Sequence, residues 1–249
     1  MSTFSLVLFL LIVAIGSYLQ AFTGFALGIF VLGSAVIFQL VKLETAATAI
    51  NIMTLVNTAL ALRGNVKRLN RRMAFQTLVG VLPGVPIGIW LLQSLNARST
   101  QSLHLCLGVV VFLGGAMLSF KPRPRAIPST PRSFLVAGGL GGILGGLFSI
   151  PGPPIIYQFY IQPLAINEVR LTLLGVFGVV SLVRILVLAI GGSVGFYSIY
   201  LGILSLPVVA LVTALFIRFP PTISEDACRR IAFSLLASMG ICIIWLGLR

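Results

Sequence analysis

Apolar runs long enough to cross a bilayer recur along this chain, and its charges fall almost wholly between them. A membrane-crossing helix needs about 20 mostly apolar residues. Ten such segments run at about 4–21, 23–41, 45–62, 73–92, 103–120, 133–149, 153–166, 169–190, 197–217 and 231–248. Strands of a membrane barrel would alternate apolar and polar residues with period two. These runs do not alternate, so the spans are helical. Only 8% of residues are charged, against roughly a quarter in soluble domains, which leaves too little polar surface for water. The chain reads as an all-α polytopic membrane protein. Its N-terminus lacks a basic region and a small-residue cleavage site, so it reads as a first membrane segment rather than a secretory signal.

A net charge of +13 would suggest nucleic acid in a soluble protein. Here the basic residues sit in loops, where they set orientation and meet anionic lipid headgroups, and nucleic-acid binding is set aside. The most polar connection, KPRPRAIPSTPR at 121–132, cannot continue a helix or enter lipid. It divides the chain into residues 1–120 and 133–249, about five apolar segments each. One ungapped shift lays Gly28 on Gly152, Leu40 on Leu164, Glu44 on Glu168, Thr48 on Thr172, Val56 on Val180 and Pro83 on Pro207. The glutamate and proline pairs carry the signal of a repeat.

Charge sets the orientation of the two copies. The loop RGNVKRLNRR at 63–72 is strongly basic, whereas its counterpart near 191–196 has no basic residue. Basic loops favour the cytoplasm, so an inverted repeat is expected, with 63–72, 121–132 and 218–230 inside and both termini outside. Arg170 joins the inner set; only Lys42, Arg98, Arg184 and Arg249 of the seventeen basic residues do not. If the second segment of each half dips in and returns, parity changes; if the first two segments form a hairpin, the inversion survives.

The first two segments of each half are interrupted, at Thr23-Gly24 and at Ser149-Ile150-Pro151-Gly152-Pro153-Pro154. Broken helices at matching places of inverted repeats are the signature of secondary transporters. A break inside the membrane survives only where it is buried in protein or lines a cavity, and a restarting helix presents N–H groups and partial positive charge to an anion. Inversion would bring the breaks together near the midplane. Pro153 and Pro154 suit a first helical turn, and the hydroxyls of Thr23 and Ser149 are candidate caps or anion contacts. The competing reading is close helix packing through small residues.

Two motifs at these breaks carry a resemblance. QAFTGFALG at 20–28 resembles the Q-G-x-T-G-F-G-F-G pattern opening the sulfite exporter TauE/SafE family, also called the toluene-sulfonate uptake permease family. GGLFSIPGPP at 145–154 is similar to its second-half G-x-x-x-G-x-G-G-P-P, and IIYQFY at 155–160 and NEVRLTL at 167–173 fit its continuation. Ala26 stands where glycine is usual, as do Ile150 and Pro151. The resemblance implies a bacterial inner-membrane carrier of small anions such as sulfite, sulfonates and related organosulfur compounds.

The candidate substrate contacts are Gln20, Thr23, Gly24, Gly28, Asn51, Ser149, Pro151, Gly152, Pro153, Tyr157, Gln158 and Arg184. Asn51 is the most central of a polar face that also carries Thr45, Thr48, Thr54, Asn57 and Thr58. Arg184, the one charge well inside a span, is either a counter-charge for the anion or a side chain that snorkels to the interface. Tyr157 and Gln158 either face the cavity or pack. Glu44 and Glu168 complement the dipoles of equivalent helices and are the repeat-related carboxylates open to a coupling proton. His104 reads as packing, and Cys106 and Cys242 as small buried hydrophobes. No metal or cofactor is expected. With four carboxylates and one histidine, an intramembrane enzyme lacks its chemistry. A membrane scaffold or assembly factor is the alternative to transport. Oligomeric state and direction of transport are not written in the sequence.

Overall fold

In a computed structural model, residues 2–96, 100–119, 124–219 and 225–248 are described. Arg98, Lys121, Arg123 and Arg249 lie outside the described residues, as do the side chains of Cys228, Arg229 and Arg230. The described chain is helical: α1 (Thr3–Thr23), α2 (Ala26–Ile37), α3 (Leu43–Leu62), α4 (Arg71–Asn96), α5 (Thr100–Ser119), α6 (Pro131–Phe148), α7 (Gly152–Tyr160), α8 (Ile166–Ile190), α9 (Phe196–Arg218) and α10 (Glu225–Gly247). A short 3-10 turn at Val66–Arg68 precedes α4. Helices α1, α3, α4, α6, α8 and α9 are long and apolar enough to cross a membrane. Trp90, Ile190 and Leu211 are exposed on these helices, an arrangement suited to acyl chains.

The second segment of each half is shorter than its hydropathy suggests. α2 has 12 residues, a rise of about 18 Å, and α7 has 9, about 14 Å; the hydrocarbon core is about 30 Å thick. Neither crosses. α2 stops because Gln39 turns left-handed at φ 49° while Leu40 N–H returns to Ala35 O at 3.0 Å, an αL-type stop. Each short helix folds back on its predecessor. A Cβ on Gly16 of α1 would lie 3.1 Å from Val31 of α2, and one on Gly141 of α6 would lie 2.6 Å from Pro151 O.

Packing repeats between the halves. α1 packs on α2 as α6 on α7, α3 on α9 as α8 on α4, α4 on α6 as α9 on α1, and α10 on α2 as α5 on α7. The counterparts themselves pair as α3 with α8 and α5 with α10. α3 and α8 run antiparallel: Thr58 neighbours Gly178, whereas Leu62 neighbours Gly175, and Thr58 Oγ1 donates to Leu174 O at 3.1 Å. α5 and α10 are antiparallel too, since Gly108 meets Ile244 and Gly247 meets Leu105.

The closest seam is α4 against α6, which run parallel. Gly80, Gly84 and Gly88 sit one helical turn apart, as do Gly138, Gly142 and Gly146, and the two stripes bring backbone against backbone. Small residues permit this approach, and dispersion with lipid release makes it favourable. Pro83 and Pro86 lie inside α4 and Pro207 inside α9. Such prolines persist in membrane helices where neighbours satisfy the freed carbonyls. Cys106 is exposed and Cys242 half-buried, so neither is the buried hydrophobe expected.

The seam makes a contrast between adjacent sites. A Cβ on Gly142 would lie 2.8 Å from Val81 O and 3.1 Å from Gly84 Cα, whereas one on Gly139 would meet only Gly80 O at 3.9 Å. Gly142→Ala is expected to destabilise by roughly 1–3 kcal/mol, the overpacking range, and Gly139→Ala to be near neutral. Thermal unfolding of the two variants in one detergent checks this; equal shifts would mean that the seam is not tight.

Candidate functional site

The first break is closed by its own side chains. Gly24 ends α1 in the left-handed region at φ 84°, with its N–H on Gln20 O at 2.7 Å. A Cβ there would also lie 2.9 Å from Arg170 Cγ, so glycine is needed for space as well as conformation. Thr23 Oγ1 donates to Leu19 O at 2.8 Å and accepts from Phe25 N at 3.3 Å and Ala26 N at 3.2 Å. Leu27 N donates to Gln20 Oε1 at 3.1 Å. The first N–H groups of α2 are therefore capped from within the break. Tyr160 OH, from the other half, donates to Thr23 O at 3.2 Å.

The second break turns at Ser149, left-handed at φ 59°, with its N–H on Gly145 O at 2.9 Å. Its hydroxyl donates to Ala47 O at 2.7 Å. α7 then opens with Gly152, Pro153 and Pro154, and the prolines offer no N–H. Neither helix start presents the full set of free amides expected from sequence. Only the dipoles and a reduced donor set remain.

The two breaks nevertheless converge. Gln20, Phe25, Gly28 and Ile29 from one and Ser149, Ile150, Pro151 and Gly152 from the other line a single cavity of about 20 Å³. Thr54 of α3 and Phe177 and Ser181 of α8, all mid-helix, complete its wall. A Cβ on Gly28 would lie 3.3 Å from Ser149 O, so the breaks touch. The volume suits one water molecule; an oxyanion requires the helices to part.

Polar groups flank the cavity on both sides. On one side Gln20 Nε2 donates to Asn57 Oδ1 at 2.9 Å, and Asn57 Nδ2 donates to Thr213 Oγ1 at 2.9 Å. All three residues are 2% exposed. Beyond them opens a vestibule of about 790 Å³ that reaches Asn57 and Thr213 and carries Arg63, Arg68, Arg170 and Arg218. On the other side, Arg184 is 0% exposed and so does not snorkel. It shares one face of α8 with Phe177 and Ser181, by their spacing. Its Nε donates to Gly146 O at 2.9 Å. Arg184 Nη1 and Nη2, together with Asn51 Nδ2, have no hydrogen-bond partner among the described residues. The opposite face has a pocket of about 480 Å³ with Lys42, Glu44 and His104 on its wall.

Of the residues expected at the site, Gln20, Gly28, Ser149, Pro151 and Gly152 line the cavity. Asn51 and Arg184 are buried on the cavity-lining faces of α3 and α8, about one turn from Thr54 and Ser181. Thr23 and Gly24 shape the turn instead. Pro153 packs on α5, where a Cβ on Gly114 would lie 2.9 Å from its ring. Tyr157 is 38% exposed, and Gln158 Nε2 donates to Ser133 Oγ at 2.9 Å; neither lines the cavity. Of the apolar walls, Phe25 and Ile150 lie within the two motifs, whereas Ile29 and Phe177 carry no sequence signal; the ungapped shift that lays Asn57 on Ser181 pointed to that serine.

Residues 8–243 match the family model described as sulfite exporter TauE/SafE. A Cupriavidus necator protein named "Probable sulfite/organosulfonate exporter TauE" is 38% identical over 225 residues, covering 90% of this chain and 88% of that protein. No solved structure matches the chain. With six helices able to span and this kinship over nearly its whole length, the chain is a multi-pass membrane protein that belongs to the TauE/SafE sulfite exporter family.

Proposed function

We propose that the protein is a secondary transporter moving a small anion, sulfite, a sulfonate or a related organosulfur compound, across the bacterial inner membrane. Residues 1–120 and 133–249 act as inverted repeats joined by the basic linker 121–132, and alternate access to the cavity where their breaks meet. The antiparallel courses of α3 against α8 and α5 against α10 support the inversion. The basic loops put the arginine-lined vestibule on the cytoplasmic side, with the pocket of Lys42, Glu44 and His104 on the other face.

The observation that carries this reading is the contact of the two breaks around a closed cavity, with unpaired donors buried just beyond it. Asn51 Nδ2 and the two Arg184 Nη groups can donate but not accept, and an oxyanion supplies the missing acceptors. This moves the weight of anion binding from helix ends to side chains. Arg184 bonds through Nε to Gly146 O and lies in the field of Glu44, so it is its two bare Nη groups that a visiting anion would fill. The inside-negative potential favours efflux of such an anion. If a proton is coupled, Glu44 and Glu168 are the carboxylates available to carry it.

Flux of labelled sulfite into or out of proteoliposomes tests the reading. Gly28→Leu, which would push a side chain into Ser149 O and Ile50, is expected to cut flux to less than a tenth with the protein still folded. Normal flux in that variant would remove the cavity from the pathway. Absence of flux for every small anion tried, with folded wild-type protein, would favour a scaffold instead. Arg184→Met separates function from stability in a second way. The change also frees Gly146 O, at a cost of about 1–3 kcal/mol, so a modest fall in melting temperature is expected while flux falls at least tenfold. A lower melting temperature with flux intact would make Arg184 structural.

A further inference from the structure

The vestibule gathers four guanidinium groups from three segments: Arg63 and Arg68 of the α3–α4 connection, Arg170 in α8 and Arg218 at the end of α9. Among the described residues no carboxylate lines it. The preference of basic loops for one side of a membrane explains the sign of this face. It does not explain the gathering, because Lys67, Arg71 and Arg72 belong to the same loop and stay off the concavity. The pocket on the opposite face is balanced, with Lys42 set against Glu44.

Besides the arginines, Asn65 and Asn167 line the vestibule, and one wall is apolar. Leu60, Leu171, Leu174 and Ile217 form that wall, and Arg170 stands 5.8 Å from the Phe216 ring centre. Its floor is the Asn57–Thr213 pair, whose third partner, Gln20, already belongs to the central cavity. That cavity holds about 20 Å³, the vestibule about 790 Å³. In this conformation the vestibule is where an anion larger than water has room. Guanidinium groups match oxyanions in bidentate geometry, and clustered charge in a concavity raises the local concentration of counter-ions.

We propose that the vestibule is a loading site for organic anions, separate from the central cavity. An oxyanion head pairs with the arginines, an apolar body lies on the Leu60–Leu171–Leu174 wall, and the charge imbalance between the two mouths makes this one the filling side. The proposal rests on the carrier reading for its purpose, not for its binding.

The test uses full-length protein in nanodiscs of neutral phosphatidylcholine, with benzenesulfonate and methanesulfonate titrated calorimetrically. Benzenesulfonate is expected to bind at least tenfold more tightly than methanesulfonate, and to weaken as salt rises. Arg170→Gln/Arg218→Gln is expected to lose that binding at least tenfold. Arg63→Gln/Arg68→Gln, on the exposed loop, is expected to weaken it several-fold and covers the case in which the first pair misfolds. Leu171→Asn is expected to bring the two ligands toward parity. In proteoliposomes the arginine variants raise KM for ligand added on the arginine-lined side and leave KM from the other side unchanged. Equal affinity for both sulfonates, or unchanged binding in the arginine variants, overturns the proposal. So does loss of binding when phosphatidylglycerol is added, which would assign the arginines to lipid headgroups. If Gly28→Leu abolishes sulfite flux while the arginine variants bind and transport as wild type, only the loading site falls. If binding behaves as stated but wild type carries no anion, the carrier reading falls and the site stands.

Discussion

A helix that stops inside a bilayer frees backbone donors and acceptors that lipid cannot satisfy, each at a cost of several kcal/mol. This chain stops twice, and much of its central architecture answers that constraint. Thr23 and Gln20 cap the restart after the first break. Tyr160 from the second half reaches Thr23 O, and Ser149 from the second break reaches Ala47 O in the first half. Arg184 takes Gly146 O near the end of α6. The first break is therefore closed partly from the opposite half, through Tyr160, whereas the second is closed within its own half and sends only the Ser149 hydroxyl across.

The same constraint explains what could be read from the sequence. Ten apolar segments and both breaks were legible, because hydropathy and Gly/Pro punctuation report solvent and chain direction directly. The ends of α2 and α7 were not. Residues 38–41 are mostly apolar, yet a left-handed Gln39 stops α2 earlier; at α7 the turn through Ile161 and Gln162 precedes Pro163, a stop signal that hydropathy alone does not register. Hydropathy registers burial, and a buried turn looks like a buried helix.

The site was legible in its address and not in its chemistry. Gln20, Gly28, Ser149 and Gly152 mark the cavity because the motifs interrupt apolar runs. Thr23 as a cap and Pro153 and Pro154 as a first turn were readable beside the expectation of free amides, and both reduce it: Thr23 Oγ1 takes Phe25 N and Ala26 N, and the prolines delete two donors. Gln20, which takes Leu27 N from seven residues away, follows no capping rule and was not readable. The α4–α6 glycine stripes were present in the sequence, at one-turn intervals from Gly80 to Gly88 and Gly138 to Gly146, and mark the tightest seam of the fold.

Selectivity follows from which hydrogen-bonding capacity is left over once the backbone is satisfied. Three acceptors beside the cavity are occupied: Gln20 Oε1 by Leu27 N, Asn57 Oδ1 by Gln20, Thr213 Oγ1 by Asn57. The remaining buried groups without partners near it are donors, on Asn51 and Arg184. A cation entering here would meet no vacant carboxylate, since Glu44 stands at the exposed head of α3 and Glu168 is engaged by Asn70 at the start of α4. An anion would meet donors with nothing else to bond. In a low-dielectric interior a vacant donor is costly until it is filled, which is the physical basis of the anion site proposed above.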